Sequence, residues 1–147
     1  DMGTGKTKGL IDVLRYKFNT ARRIRKTVIF SPLVTLFNWK NEWLKNSSLS
    51  EHKIQVLHGS SAKKLSTFLK AIERDPNQII ILNYESVLSD KIMEALYAWG
   101  PEVMVLDESH YVKKGSNSFA IIPPELVPRF LLQFKCSKFF AKSSLSF

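Results

Sequence analysis

Cysteine and histidine are scarce in this sequence. The 147 residues include a single cysteine, Cys136, and three histidines. One cysteine excludes a disulfide framework within the chain, and so few thiol and imidazole groups argue against a zinc module. These counts favour a reducing, intracellular setting for the protein.

Long apolar runs are also missing. No hydrophobic stretch approaches the roughly 20 residues of a membrane-spanning helix, so we expect no membrane partner. Apolar residues make up 44% of the chain and charged residues 24%, which is typical of a globular protein rather than of a disordered one. A chain of this length predicts one domain with its own hydrophobic core.

Acidic residues are few relative to basic ones. The 22 Lys and Arg residues against 13 Asp and Glu residues give a formal net charge of +9. Such an excess favours a polyanionic partner such as nucleic acid, although it also serves solubility.

Helical and strand-like apolar patterns alternate through most of the chain. Apolar residues at helical spacing predict helices over residues 5–18 and 34–45, around residues 65–72 and around residues 88–99. Short β-branched runs predict strands over residues 27–31, 54–57, 78–82 and 103–106. This alternation predicts an α/β fold with a parallel sheet between two helical layers. Catalytic groups of such sheets lie at the carboxyl ends of the strands.

The end of the chain breaks this rhythm. Pro123, Pro124 and Pro128 are expected to interrupt any helix after Ser116, and residues 135–147 form a string rich in Lys, Ser and Phe. We therefore predict a domain over residues 1–116 and an atypical tail over residues 117–147, either frame-shifted or disordered.

The sequence opens in a glycine-rich segment that ends in Lys-Thr. Residues 1–7 match the last seven positions of the phosphate-binding loop G-x-x-x-x-G-K-[ST], so we expect the chain to be a fragment. In such a loop the backbone N–H groups face phosphate oxygens, the lysine reaches the β and γ phosphates, and the hydroxyl binds Mg²⁺. A chance Gly-Lys-Thr at a helix start would explain the same residues. The nucleotide-binding candidates are Asp1, Met2, Gly3, Thr4, Gly5, Lys6 and Thr7.

A second motif follows the last predicted strand. The apolar run over residues 103–106 leads directly into Asp107, Glu108 and, two positions on, His110. Phosphoryl transfer needs one carboxylate to hold the metal and one group to orient water, and Asp107 and Glu108 suit these two tasks. An acidic helix cap would explain Asp107 alone but not the accompanying glycine loop.

Taken together, the loop, the α/β units and the Asp-Glu-Ser-His box resemble the first motor domain of superfamily 2 helicases, whose box is D-E-x-H. Residues 1–7 look like the D-E-M-G-L-G-K-T loop of the Swi/Snf-type ATPases, and residues 31–43 are similar to that family's P-x-x-L-x-x-N-W-x-x-E-[FW] motif. Residues 83–87 resemble its T-x-Y-E-x-[LV] segment, and residues 111–114 resemble its basic continuation of the acidic box. The resemblance covers residues 1–116.

This resemblance implies a three-layer P-loop NTPase fold of the RecA-like type, truncated at the first strand and in its C-terminal part. It implies ATP and Mg²⁺ as cofactors, with Thr7 and Asp107 at the metal. It also implies catalytic roles for Lys6 at the phosphates, for Glu108 at the attacking water and for His110 in relaying the nucleotide state.

The resemblance further implies double-stranded DNA as the partner. In that family the segment after the second strand contacts the nucleic-acid backbone, and another strand end on the same edge of the sheet is a second candidate. Trp39 and Trp43 are expected to fill the core rather than to stack on bases. The nucleic-acid candidates are Ser31, Pro32, Asn83 and Tyr84.

Other parts of the family pattern are absent from the sequence. No [ST]-[GA]-T triplet follows His110, and we expect the second motor domain with its arginine to belong to the same parent chain. By itself the chain is therefore expected to be inactive. Two alternatives stay open: an RNA- or DNA-unwinding or restriction-type helicase of the same superfamily, and an inactive remnant.

Overall fold

The structure, a computed structural model, describes residues 4–107 and 119–136. In these ranges it contains five helices and five strands, joined by short connections that include several single 3-10 turns. In chain order the elements are α1 (Thr4–Ala21), β1 (Thr27–Ser31), α2 (Leu36–Asn46), β2 (Ile54–Leu57), α3 (Ser61–Arg74), β3 (Ile79–Asn83), α4 (Asp90–Trp99), β4 (Val103–Asp107), β5 (Phe119–Ile122) and α5 (Val127–Cys136).

One sheet holds all five strands, in the order β2-β3-β1-β4-β5. The first four strands are parallel to one another, and β5 runs antiparallel to β4. Successive parallel strands need a helical crossover between them, which is why the predicted alternation of helices and strands produces this sheet. The predicted α/β class of the RecA-like type is confirmed, and the antiparallel edge strand is an addition.

Helices cover both faces of the sheet. On one face α1 and α2 pack against alternate strand residues such as Ile29, Ile81 and Val105. On the other face α3, α4 and α5 pack against the intervening residues, among them Phe30 and Leu82. Strands buried on both faces have no polar side, and this explains their continuous apolar sequences. No helix within the described ranges combines the length and the apolarity that crossing a membrane requires.

Both tryptophans of α2 lie in this core, as expected. Trp39 and Trp43 have no exposed surface, and the ring of Trp43 stacks on Phe18 of α1 at a centroid distance of 6.0 Å. Their burial joins α2 to α1 on the same face of the sheet.

The expectation that prolines interrupt every helix after Ser116 is wrong. Helix α5 spans Val127–Cys136 and contains Pro128 at its second position. The first turn of a helix does not use its N–H groups in intrahelical bonds, so proline is tolerated there. Val127 and Leu131 are buried against the core, and α5 contacts α4. The domain boundary after residue 116 stays a prediction.

A paired arginine and glutamate tie two connections together at the amino ends of β1 and β4. The guanidinium of Arg23 donates to both carboxylate oxygens of Glu102, at 2.7 and 2.6 Å, and the backbone N–H of Lys26 donates to the same group at 3.1 Å. These hydrogen bonds from Arg23, with a smaller contribution from Lys26, lower the pKa of Glu102 to about 2.

We expect Glu102→Gln to lower the free energy of unfolding in a pH-dependent way. A folded-state pKa below the ordinary value of about 4.3 adds stability above that value, and this stability is lost as the pH falls towards 2. Because the pair is partly exposed, the loss near neutral pH should be no more than about 1 kcal/mol. Urea unfolding at neutral and acidic pH measures it, with the exposed Glu73→Gln as control. A loss that stays constant as the pH falls would contradict the ionic origin.

Candidate functional site

Asp107 is the last residue of β4 and lies at the carboxyl edge of the sheet. Side chains alternate along a strand, and Val103 and Val105 both face α1 and α2. Asp107 is the next residue in this series, and its side chain has no exposed surface. The predicted metal-binding carboxylate is therefore buried on the face that α1 and α2 cover.

Two aromatic side chains hold this residue. The indole Nε1 of Trp39 donates to Oδ2 of Asp107 at 3.2 Å, and the hydroxyl of Tyr84 donates to its backbone carbonyl at 2.9 Å. Trp39 comes from α2 and Tyr84 follows β3, so the carboxylate and the backbone of Asp107 are oriented from separate elements. A buried carboxylate with hydrogen-bond donors is tolerated, whereas one without partners is costly.

Thr7 lies in the first turns of α1 and is 1% exposed. Within the part of the chain that the structure describes, its hydroxyl has no hydrogen-bond partner. A buried hydroxyl without a partner is unusual in a folded protein, and a ligand that binds there would satisfy it. The hydroxyl thus has the chemistry and the setting of a metal or phosphate contact.

The remaining candidates of the phosphate loop and the acidic box are only partly described. Helix α1 begins at Thr4, within the predicted loop, and the structure gives only the backbone of Thr4, Gly5 and Lys6. The candidates outside the described residues are Asp1, Met2, Gly3, Glu108 and His110.

The described residues fit Mg²⁺ better than a transition metal. Thr7 and Asp107 offer oxygen ligands, which Mg²⁺ prefers, and it commonly binds through one or two protein oxygens together with phosphates and water. Across residues 4–107 and 119–136 no group of three or more His, Cys, Asp or Glu side chains is arranged to hold a metal alone. The donor set therefore suits a metal that arrives with a phosphate ligand.

The nucleic-acid candidates lie at the same edge of the sheet. Ser31 pairs with Asn83 in the parallel register, and Phe30 pairs with Leu106 of β4. The side chains of the four candidates are buried, and the Ser31 hydroxyl hydrogen-bonds that of Thr35. In this structure the strand ends of β1 and β3 can therefore offer backbone groups, rather than these side chains, to a ligand.

A buried lysine that the sequence analysis missed supports the end of β3. The ammonium of Lys64 donates to Oδ1 of Asn83 at 2.9 Å and to Oγ of Ser86 at 3.0 Å, and only 6% of the residue is exposed. Burial lowers its pKa, and the charge of Glu85 opposes this shift. The sequence feature that indicates this burial is the helical spacing of Lys64, which precedes the buried Phe68 by four positions on α3.

Two positions of the predicted helical patterns are wrong. Leu69 on α3 and Leu88 fit the predicted apolar faces, yet they are 46% and 39% exposed. Leu88 lies in the 3-10 turn before α4, which begins at Asp90. On α3 the buried positions are Lys64, Phe68 and Ala71, and periodicity alone did not distinguish their face from the neighbouring one that contains Leu69.

The mostly parallel sheet with helices on both faces is consistent with the class of RecA-like motor domains. Thr7, in the first turns of α1, and Asp107, at the end of β4, are both buried. The model of the SNF2-related domain matches residues 1–123 of this chain. The chain belongs to the SNF2-related domain family.

Individual relatives agree with this assignment. The chain is 29% identical over 122 residues to the ISWI chromatin-remodeling complex ATPase ISW2 of Saccharomyces cerevisiae, a match that covers 83% of this chain and 10% of that protein. It is 30% identical over 125 residues to the chromatin-remodeling ATPase INO80 of Candida glabrata, with 80% and 8% covered. It is 23% identical over 121 residues to the nuclear protein STH1/NPS1 of Saccharomyces cerevisiae, with 82% and 8% covered. The chain thus spans about a tenth of the length of these relatives.

Proposed function

We propose that this chain is the ATP-binding half of a nucleic-acid-dependent ATPase, and that the longer protein is a Swi/Snf-type translocase on double-stranded DNA. Two buried residues, Thr7 and Asp107, carry the proposal. The first offers a hydroxyl without a partner in the described chain, and the second offers an oriented carboxylate. Membership of the SNF2-related domain family supports the nucleotide chemistry.

In this proposal each residue of the loop and the box has one task. Lys6 binds the β and γ phosphates, and Thr7 and Asp107 hold Mg²⁺, which when bound neutralises charge on the phosphate oxygens. Glu108 accepts a proton from the water whose oxygen attacks the γ phosphorus, while the bond from that phosphorus to the β–γ bridging oxygen breaks. His110 relays the nucleotide state to the nucleic-acid side.

The backbone at the ends of β1 and β3 is the proposed contact with DNA. Ser31, Pro32, Asn83 and Tyr84 belong to these ends, and the net charge of +9 favours a polyanion. The relatives are named as chromatin-remodeling ATPases and as a nuclear protein. Because of the similarity to these relatives, we propose an intracellular location. We also propose that the parent chain contains a second motor domain, which completes the catalytic cleft.

Two measurements test the proposal. This chain is titrated with a fluorescent ATP analogue with and without Mg²⁺, and hydrolysis by the longer protein is measured with double-stranded DNA and with RNA. We expect binding that Mg²⁺ strengthens, and hydrolysis that only double-stranded DNA stimulates. Stimulation by RNA would indicate an unwinding helicase instead. A chain that binds no nucleotide would contradict the site itself.

A further inference from the structure

The two tryptophans of α2 differ in one respect. Trp39 and Trp43 are four positions apart on one helix, and neither has any exposed surface. The indole N–H of Trp39 donates to Oδ2 of Asp107. The indole N–H of Trp43 has no hydrogen-bond partner within the described residues. Both rings therefore fill the core, but only Trp39 contacts the carboxylate.

The chemistry of the donor matters at this position. An indole N–H donates one hydrogen bond and carries no charge. It restricts rotation of the Asp107 carboxylate without neutralising it, whereas a lysine or arginine there would compete with a bound cation. The Tyr84 hydroxyl acts on the backbone carbonyl of the same residue, whereas the contact with Trp39 acts on the carboxylate and restricts its rotation.

Buried contacts of this kind cost free energy unless the donor and acceptor are well placed. The indole of Trp39 is held by its position in the layer of α1 and α2, and its helix also carries the stacked Trp43. A donor fixed in this way limits the orientations of its acceptor. In metal sites, residues that fix the ligands raise the affinity for the metal although they do not touch it.

We propose that Trp39 is a positioning residue for Mg²⁺ binding: its indole N–H holds the carboxylate of Asp107 in the orientation that binds the cation. This inference rests on the proposed function, because it requires a metal–nucleotide complex at Thr7 and Asp107. It adds a residue of α2 to a site that the glycine loop and the acidic box otherwise define.

The test compares Trp39→Phe with Trp43→Phe. Each change removes one indole N–H and leaves a buried aromatic ring. Binding of a fluorescent ATP analogue to the 147-residue chain is measured over a range of Mg²⁺ concentrations and without Mg²⁺. We expect Trp39→Phe to weaken the apparent Mg²⁺ affinity about 10-fold, within the range for residues that orient metal ligands, and to leave Mg²⁺-free binding unchanged. Trp43→Phe should change neither quantity more than about twofold, because its N–H has no comparable contact.

A second measurement uses the unsubstituted chain and does not depend on how the variants fold. The three tryptophans give three indole N–H signals in a ¹⁵N-correlated NMR spectrum. The paramagnetic ion Mn²⁺, added with the ATP analogue in place of Mg²⁺, broadens the signals of nearby protons. We expect the Trp39 signal to broaden first. The signal of Trp99, whose N–H donates to the carbonyl of Pro76 in the other core layer, should persist.

The outcomes separate this inference from the proposed function. Unchanged Mg²⁺ affinity in Trp39→Phe, or equal losses in both variants, would assign Trp39 a packing role only. A Trp39 signal that Mn²⁺ broadens no more than that of Trp99 would place the metal elsewhere. If the unsubstituted chain binds the nucleotide without any effect of Mg²⁺, the proposed metal site itself is contradicted.

Discussion

In the proposed longer protein, Lys6→Ala and Glu108→Gln should both strongly reduce DNA-stimulated ATP hydrolysis, but for different reasons. Lys6→Ala removes the cation at the β and γ phosphates, so nucleotide affinity should fall by about 100-fold or more and hydrolysis with it. Glu108→Gln removes only the proton acceptor, so hydrolysis should fall by about 10²- to 10⁴-fold while nucleotide affinity is retained.

Fluorescent-nucleotide titrations together with phosphate-release assays distinguish these two effects. The matched controls are Lys70→Ala and Glu73→Gln, both at exposed positions of α3, and neither should change binding or turnover. Unaltered turnover in Glu108→Gln would remove that residue from the mechanism. Unaltered affinity in Lys6→Ala would contradict the assignment of residues 1–7 as a phosphate-binding loop.

The second large effect is expected at α5, where Leu131→Asp should destabilise the fold by about 3–5 kcal/mol. Leu131 is 2% exposed and belongs to the core cluster that also contains Trp99 and Met104. An aspartate there loses the apolar contacts and buries a charge without a partner. A loss of this size approaches the whole stability of many small domains.

The neighbouring leucine provides the control for this change. Leu132 is 45% exposed, so Leu132→Asp should alter the free energy of unfolding by no more than about 0.5 kcal/mol. Chemical unfolding followed by circular dichroism measures both variants. Equal stability of the two variants would mean that α5 does not pack on the sheet in solution. That result would agree with the prediction of a disordered tail.

Much of the fold was predictable because the core strands are continuous apolar runs. The predicted strand over residues 27–31 coincides with β1, and the predicted helix over residues 5–18 lies within α1. Gly100 follows Trp99 and ends α4 in the left-handed conformation, with φ of +72°, which glycine adopts readily. Local periodicity and capping residues suffice for such elements.

The last strand and helix were not predictable in the same way. Strand β5 gains its pairing only from β4, and its four residues are too few to show a period. The sequence predicts that the prolines before and within α5 interrupt a helix, although one of them occupies the tolerated first turn. In both cases contact with the rest of the domain outweighs the local signal.

The candidate site likewise has residues that the sequence predicted and contacts that only the structure shows. The motifs singled out Thr7 and Asp107, and the structure buries both, but the motifs held no information on which groups hold the carboxylate. Trp39, which donates a hydrogen bond to the carboxylate of Asp107, lies 68 positions earlier in the sequence. Lys64, which donates a hydrogen bond to Asn83 at the end of β3, lies 19 positions earlier and on a different element.

The sequence by itself determined the α/β alternation, the positions of the core strands to within one residue and the residue types that phosphate and metal chemistry require. These properties depend on side-chain period, on β-branching and on short motifs, all of which are local. Only the tertiary structure decided that Trp39 and Tyr84 hold Asp107, that Lys64 is buried and that β5 is antiparallel. Those outcomes depend on which elements pack together, because a hydrogen bond between distant residues exists only after the sheet and its helices have assembled.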